Sequence, residues 1–383
     1  MHILVIANGY PDKREPQWGC FERDQALALQ KLGHQVSILY VDLRWRTYWR
    51  KIGISCFRKE GLSVYGLFLL PGKVLKMFMP KRFYQRFVTW MYDRLFRLYV
   101  AHEGMPDVIY AHYLYNIFYA STLKQRYGVS MVGIEHWSEL AKEKLSSKVK
   151  YWGDKAYANV DKLLVVSQSL QGHIYRHFKK ESTVVYDMLG QEFISPDVKK
   201  KEKSQPFRFV SVGSLIHRKG FDLLLQAFCR SGLQEKGCSI VIIGDGPEKE
   251  NLLNLAKRLG ISEYVCLTGR KTKYEIISEM QQSHVFVLSS RAETFGVVCI
   301  EALSQGLPNI ATVCGGPEEF INEQNGILVP TDNMEALSEA MIDIYNNYSE
   351  YDSVAIAEEC KRRFAPQVIA SQLTTIFEGV VKK

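Results

Sequence analysis

Ten short apolar runs, rich in β-branched residues and separated by stretches with helical spacing, limit the folds open to this chain more than anything else in it. In the first half they are HILVIA, QVSILYV, DVIYAH, SMVGI and KLLVVS; in the second they are FRFVSVG, SIVIIGDG, YVCLTG, HVFVLSS and NIATV. Strands buried on both faces read this way, and the intervening helices supply the crossovers that parallel strands need. The pattern predicts an α/β protein of two Rossmann-like doubly wound domains facing a central cleft, with ligands held at the carboxyl ends of the strands. A chain of 383 residues also exceeds the size at which single cores stop growing, roughly 250–300 residues. The charged, aperiodic stretch Pro196–Pro206, PDVKKKEKSQP, reads as the interdomain linker. That places one domain at 1–195 and the other at 196–365, with a last helical segment, 366–383, that can pack on either.

Composition excludes several classes. With 46% hydrophobic and 23% charged residues the chain is an ordinary globular protein, and no part of it needs to be disordered. The start, MHILVIANGYP, has neither a basic region ahead of its apolar run nor a cleavage site, so it reads as a first strand. No apolar run approaches the roughly 20 residues that span a bilayer. The eight cysteines are scattered without a C-x-x-C pair, which argues against disulfides and zinc and suits a reducing cytoplasm.

Chemistry enters at Arg291–Ala302, RAETFGVVCIEA. The turn after HVFVLSS places Glu293 just ahead of a helix, and Glu301 more than one turn inside it. A carboxylate desolvated at Glu301 costs several kcal/mol unless a donor satisfies it. Vicinal sugar hydroxyls are such donors, and the free amides of the helix start, at Phe295, Gly296 and Val297, form an anion site between the two glutamates. A polyol at each end with an anion between describes a nucleotide sugar; the alternative is that Glu301 faces solvent on an amphipathic helix. Lys219, with Arg218 beside it in VSVGSLIHRKG, stands at a strand end and can neutralise a diphosphate; equally it can be a solvated basic loop. GDGP at Gly244–Pro247 and CGGPEEF, with Gly315 and Gly316, follow successive strands and let backbone approach a ligand.

On these segments the sequence resembles the retaining glycosyltransferases of family 4, which have the GT-B fold. The resemblance covers most of the chain and is most specific in the second half. It implies that Glu293 binds donor-sugar hydroxyls, that Glu301 binds the nucleotide ribose, and that Lys219 binds the diphosphate. In the first half Gly19 matches the glycine of the loop that approaches the diphosphate, and His112 matches a histidine near the reacting sugar. Two departures stand out. Gly213-Ser214-Leu215 replaces the usual G-R-L, so a diphosphate-binding arginine is missing and Arg218 is the substitute. The usual N-G after the interdomain strand is blurred as YDMLGQEF.

The implied reaction moves a hexosyl or N-acetylhexosaminyl unit from a nucleoside diphosphate sugar to an acceptor hydroxyl with retention, without a cofactor. There is no D-x-D, so Lys219, Arg218 and the helix amides would stand in for a divalent cation. An epimerase of the same fold and a non-catalytic basic binding protein remain alternatives; no nucleic-acid-binding signature is present. Arg44–Val100 carries thirteen Lys/Arg against Glu60 and Asp93, a net +11 where the whole chain carries +8. Its aromatics include Trp45, Trp49, Phe83, Phe87, Trp90 and Phe96, and Phe83, Phe87, Met91 and Leu95 recur at helical spacing. Core stripe and solvated charge is one reading. Peripheral docking on the anionic inner face of a membrane, toward a lipid-linked glycan acceptor in bacterial-type surface polysaccharide assembly, is the other.

Overall fold

The apolar runs become the strands of two mostly parallel sheets. The computed structural model describes residues 1–46, 50–194 and 197–382, apart from the side chains of Lys76, Lys81 and Arg82; Trp49 and the 195/196 boundary lie outside the described residues. The first sheet contains β1 (His2–Ile6), β2 (Gln35–Asp42), β3 (Gly53–Lys59), β4 (Leu62–Phe68), β5 (Val108–His112), β6 (Ser130–Glu135), β7 (Lys162–Val165) and β8 (Thr183–Val184). Its order is β3-β4-β2-β1-β5-β6-β7-β8, and only the edge strand β3 runs antiparallel to its neighbour. The second contains β9 (Phe207–Val212), β10 (Cys238–Ile243), β11 (Val265–Gly269), β12 (Val285–Leu288), β13 (Asn309–Thr312) and β14 (Gly326–Val329), in the order β11-β10-β9-β12-β13-β14.

Both orders reverse once, at β1/β5 and at β9/β12. In doubly wound sheets the crevice outside the carboxyl ends of the strands at such a reversal receives the ligand, because the two flanking loops leave in opposite directions. The sheets are rigid enough to hold that geometry. In the second unit Phe209, Phe228, Ile240, Val285, Ile310 and Leu337 are all buried in one cluster. Each contributes about 1.5–3 kcal/mol by leaving water.

The chain divides into one unit of Met1–Val166, Leu170–Tyr186 and Pro366–Lys383, and a second of Ser167–Ser169 and Asp187–Ala365. Pro196–Pro206 is therefore not the crossing between units, which corrects the sequence expectation. Lysines that read as a solvated linker cap backbone instead: Lys201 Nζ donates to the carbonyls of Met280 and Ser283, both at 2.9 Å, and the Lys203 ammonium sits 3.7 Å over the Tyr345 ring. The last helix, Pro366–Val381, belongs to the first unit, where it buries Ile369, Ala370, Leu373 and Phe377. Its Phe377 ring lies 5.0 Å from Tyr110, and its Thr374 hydroxyl meets His34 Nε2 at 2.9 Å.

Candidate functional site

The reversal in the second sheet brings together Lys219, after β9, and Glu293, after β12. Between β9 and Lys219 the chain turns through Gly213–Ile216, where Leu215 N donates to Asp245 O at 3.1 Å and Glu248 N donates to Leu215 O at 3.0 Å. GDGP braces this turn: a Cβ on Gly246 would lie 2.4 Å from Leu215 O. Gly220 then has φ +63°, and a Cβ there would stand 2.0 Å from Ser289 O, so this approach of the two loops needs glycine. Ser289 Oγ donates to Lys219 O at 3.1 Å.

Arg291, which carries no expectation from the sequence, ties the two loops together. Its amide donates to Arg218 O at 2.8 Å, and its guanidinium grips Asp222 bidentately at 2.9 Å on each arm. It also reaches His217 O at 2.6 Å and Asp332 at 2.7 Å. A planar fork with this many acceptors fixes register as well as energy.

On that frame Lys219 Nζ meets Glu293 Oε1 at 2.5 Å, and Ser290 Oγ donates to the same oxygen at 2.7 Å. Arg218 Nη1 donates to Ala292 O at 2.8 Å and lies 3.7 Å from Glu293 Oε2. The burial expected at Glu301 falls instead on Glu293, which is only 8% exposed, whereas Glu301 is half-buried on the helix Val297–Ser304. The cause is in large part tertiary: the buried Ser290 beside it and Lys219 from the distant loop after β9 enclose Glu293 and compensate its charge.

Gly296 begins the helix in the left-handed region and no side chain caps it. Its first amides are aimed outward, as at any helix start. Phe295 packs against Phe320 and Phe364, with ring centroids at 5.1 and 5.8 Å, so only its main chain can serve a ligand. The glycines of CGGPEEF also serve the protein: a Cβ on Gly315 would lie 2.7 Å from Glu293 O, and one on Gly316 would lie 2.3 Å from Phe295 O. They seat the Glu293–Phe295 loop.

In the first unit Gly19 lies after β1 with φ +78°, and a Cβ there would meet Gly9 O at 2.3 Å. His112 ends β5 but is fully buried. Its ring stacks on His136 with centroids 5.4 Å apart, and its Nδ1 lies 3.3 Å from His136 Nε2. Burial, aided by His136, holds the His112 imidazole well below its ordinary value, hence neutral. His136, just past the end of β6, is half-exposed where His112 is enclosed. Behind it Glu135 is buried with a proton affinity pushed up to about 8 by desolvation, and Tyr157 OH donates to it at 2.8 Å. The signal for both was present as GIEHW, a charged pair closing an apolar strand.

Geometry of this kind, with two cations and a helix start around a carboxylate, can hold a phosphate-bearing polyol. Comparison with known proteins agrees. A glycosyl transferases group 1 model matches residues 194–360, and a glycosyltransferase family 4 model matches residues 23–187. The chain is 28% identical over 250 residues to an uncharacterized glycosyltransferase of Methanocaldococcus jannaschii, covering 65% of this chain and 68% of that one. It is 26% identical over 364 residues to a putative teichuronic acid biosynthesis glycosyltransferase of Bacillus subtilis, covering 89% and 88%. Among solved structures, a sucrose-phosphate synthase from Thermosynechococcus elongatus superposes with a TM-score of 0.79 at 19% identity, covering 99% of each chain. Anabaena HepE in complex with UDP-glucose does so with a TM-score of 0.72 at 16% identity, covering 99% of this chain and 100% of that one. Matched over both units by glycosyltransferase models, and folded as two Rossmann-like units, the chain belongs to the glycosyltransferases of GT-B fold.

Proposed function

We propose that the protein transfers a hexosyl or N-acetylhexosaminyl unit from a nucleoside diphosphate sugar to an acceptor hydroxyl, with retention at the anomeric carbon, in surface polysaccharide or glycolipid assembly. The observation that carries this reading is the cluster of Lys219, Arg218 and Ser290 around Glu293 at the strand-order reversal. Lys219, Arg218 and the helix amides after Gly296 take up the charge that grows on the diphosphate as its bond to the anomeric carbon breaks. Stabilising charge that develops only in the transition state is where such groups accelerate most. They fill the place of a divalent cation, and no cofactor beyond the donor enters. Glu293 accepts hydrogen bonds from donor-sugar hydroxyls and Glu301 from the ribose. The Gly19 loop and His136, in place of the enclosed His112, contribute from the first unit. A relative named for teichuronic acid biosynthesis and a structural neighbour solved with UDP-glucose support the setting and the donor class. The acceptor in this reading is a lipid-linked glycan.

A thermal-shift screen of UDP-, GDP- and ADP-sugars tests the donor. The matching one, at a hundred times its Kd, should add about 2.7 kcal/mol and raise Tm by roughly 5–10 °C. Anomeric couplings in the product then read the stereochemistry. Stabilisation by none of the three classes rejects the proposal.

A further inference from the structure

The positive charge between Arg44 and Val100 is not evenly available. Arg44 and Arg46 are engaged by Asp42 and Glu15, and Arg50 by Asp12. Lys51, Arg58 and Lys59 lie at or beside β3, and the other seven cations are on two helices, Gly72–Phe78 and Lys81–Glu103; from Leu70 to Tyr92 the sequence has five Lys/Arg and no Asp or Glu. The long helix buries Met91, Leu95 and Tyr99, and exposes Phe83, Arg86, Trp90, Arg94 and Arg97, which share one face by their helical spacing. The apolar stripe seen in the sequence therefore splits: Met91 and Leu95 are core, while Phe83 is 63% exposed. At the corner between the helices Met77 is 73% and Phe78 75% exposed, and Trp90 farther along is 48% exposed. Met79, Pro80, Phe83, Arg86, Phe87 and Trp90 line one open groove there. Among the described residues no helix is long and apolar enough to cross a membrane, so this is a surface feature.

We propose that this helical corner docks on an anionic lipid surface. Met77, Phe78, Phe83 and Trp90 enter the boundary between headgroups and acyl chains, and Lys73, Arg86 and Arg94 lie over anionic headgroups. Charge selects this occupant. A second copy packed through the same face would set cations against cations, with no acid between Leu70 and Tyr92 to offset them. Arg97 is excluded from the lipid-facing set because it pairs with Asp93 at 3.1 Å. The proposal does not rest on the donor assignment, although it gives a lipid-linked acceptor a place to be met.

The test is co-sedimentation of the full chain with mixed phosphatidylglycerol–phosphatidylcholine vesicles and with pure phosphatidylcholine vesicles, at low and high salt. Binding should require the anionic lipid and weaken with salt. Joint replacement of Lys73→Gln, Arg86→Gln and Arg94→Gln should lower the partition coefficient about a hundredfold, since each cation is worth about fivefold at such a surface. Phe78→Ser with Phe83→Ser should weaken binding and leave its salt dependence. Unchanged melting temperature and unchanged nucleotide affinity show that both variants fold and that the donor site is separate. A protein that stays in the supernatant with anionic vesicles at low salt overturns the proposal. So do equal binding by both variants, and a patch-dependent dimer in sedimentation velocity without vesicle binding.

Discussion

Glu293 shares one oxygen between the Lys219 ammonium and the Ser290 hydroxyl, so replacing it with alanine has two separable consequences. Lys219 and Ser290 lose their acceptor in a largely enclosed site, which costs on the order of 1–3 kcal/mol in a denaturant titration. Sugar transfer should fall at least hundredfold, while affinity for the free nucleoside diphosphate, which keeps Lys219, Arg218, the helix amides and Glu301, changes only a few-fold. A variant with near-normal transfer would remove Glu293 from the donor sugar. Glu301→Ala should do the reverse. Hydrogen bonds to a carboxylate are worth about 1.5–3 kcal/mol, so calorimetry should find nucleotide binding weakened by about ten- to a hundredfold. Unchanged affinity would detach Glu301 from the ribose. The sequence showed these residues but not their depth, because one of the groups that enclose Glu293, Lys219, comes from a loop more than seventy residues away.

At the scale of elements, the loops after β9 and β12 are held in register by backbone contact that leaves no room for a side chain. Gly220→Ala would force a Cβ to within 2.0 Å of Ser289 O at a φ of +63°. The expected loss is about 2–4 kcal/mol, with nucleotide affinity falling as Lys219 is displaced; intact affinity would mean the two loops move independently. The end of β6 offers a pH test. Glu135 holds its proton up to about 8 in the folded protein, above its unfolded value, so the folded state binds more protons in between. Stability from this group is full below the unfolded value and is lost as pH rises through about 8. Glu135→Gln mimics the protonated form, and its melting temperature should gain on the parent as pH rises from 5 to 8, by up to a few kcal/mol in stability. A constant difference across that range would show that Glu135 titrates normally. Most strands buried on both faces were legible because their apolar runs are continuous, as in HILVIA and FRFVSVG; β4, equally buried, was missed because Ser63 and Gly66 break its run LSVYGLF. β3 was not legible either: it is an edge strand with exposed Ile54 and Phe57 interleaved with polar residues. β8, with two residues, is too short for periodicity to register, and β14, GILV, is only partly buried and follows the turn-forming NEQN. His136 was missed because a histidine in GIEHW reads as loop until its strand partner, with His112, is known.

At the scale of the whole molecule, the chain passes from the first unit to the second ahead of Asp187 and returns after Ala365, so the last helix stabilises a unit it follows by some two hundred residues. The helical spacing of FAPQVIASQLTTIFEGVV was readable, but its partner was not, because an apolar stripe does not name the face it covers. Phe377 is fully buried against Tyr110, one residue before Ala111 in β5 and at the heart of the first sheet. Phe377→Ala should therefore cost about 3–5 kcal/mol, and the cost should appear in one unit only. Hydrogen exchange should quicken through β5 and β6 while β9 and β10 keep their protection, since local stability follows local packing. Every residue assigned here to phosphate, ribose and donor-sugar contacts after β9 and β12 lies in the second unit, so affinity for the free nucleoside diphosphate should stay within about threefold of the parent. Transfer to acceptor should fall with the loosened first unit. If nucleotide affinity collapsed along with transfer, the first unit would be supplying essential donor contacts, and the division of labour between the two units would be wrong.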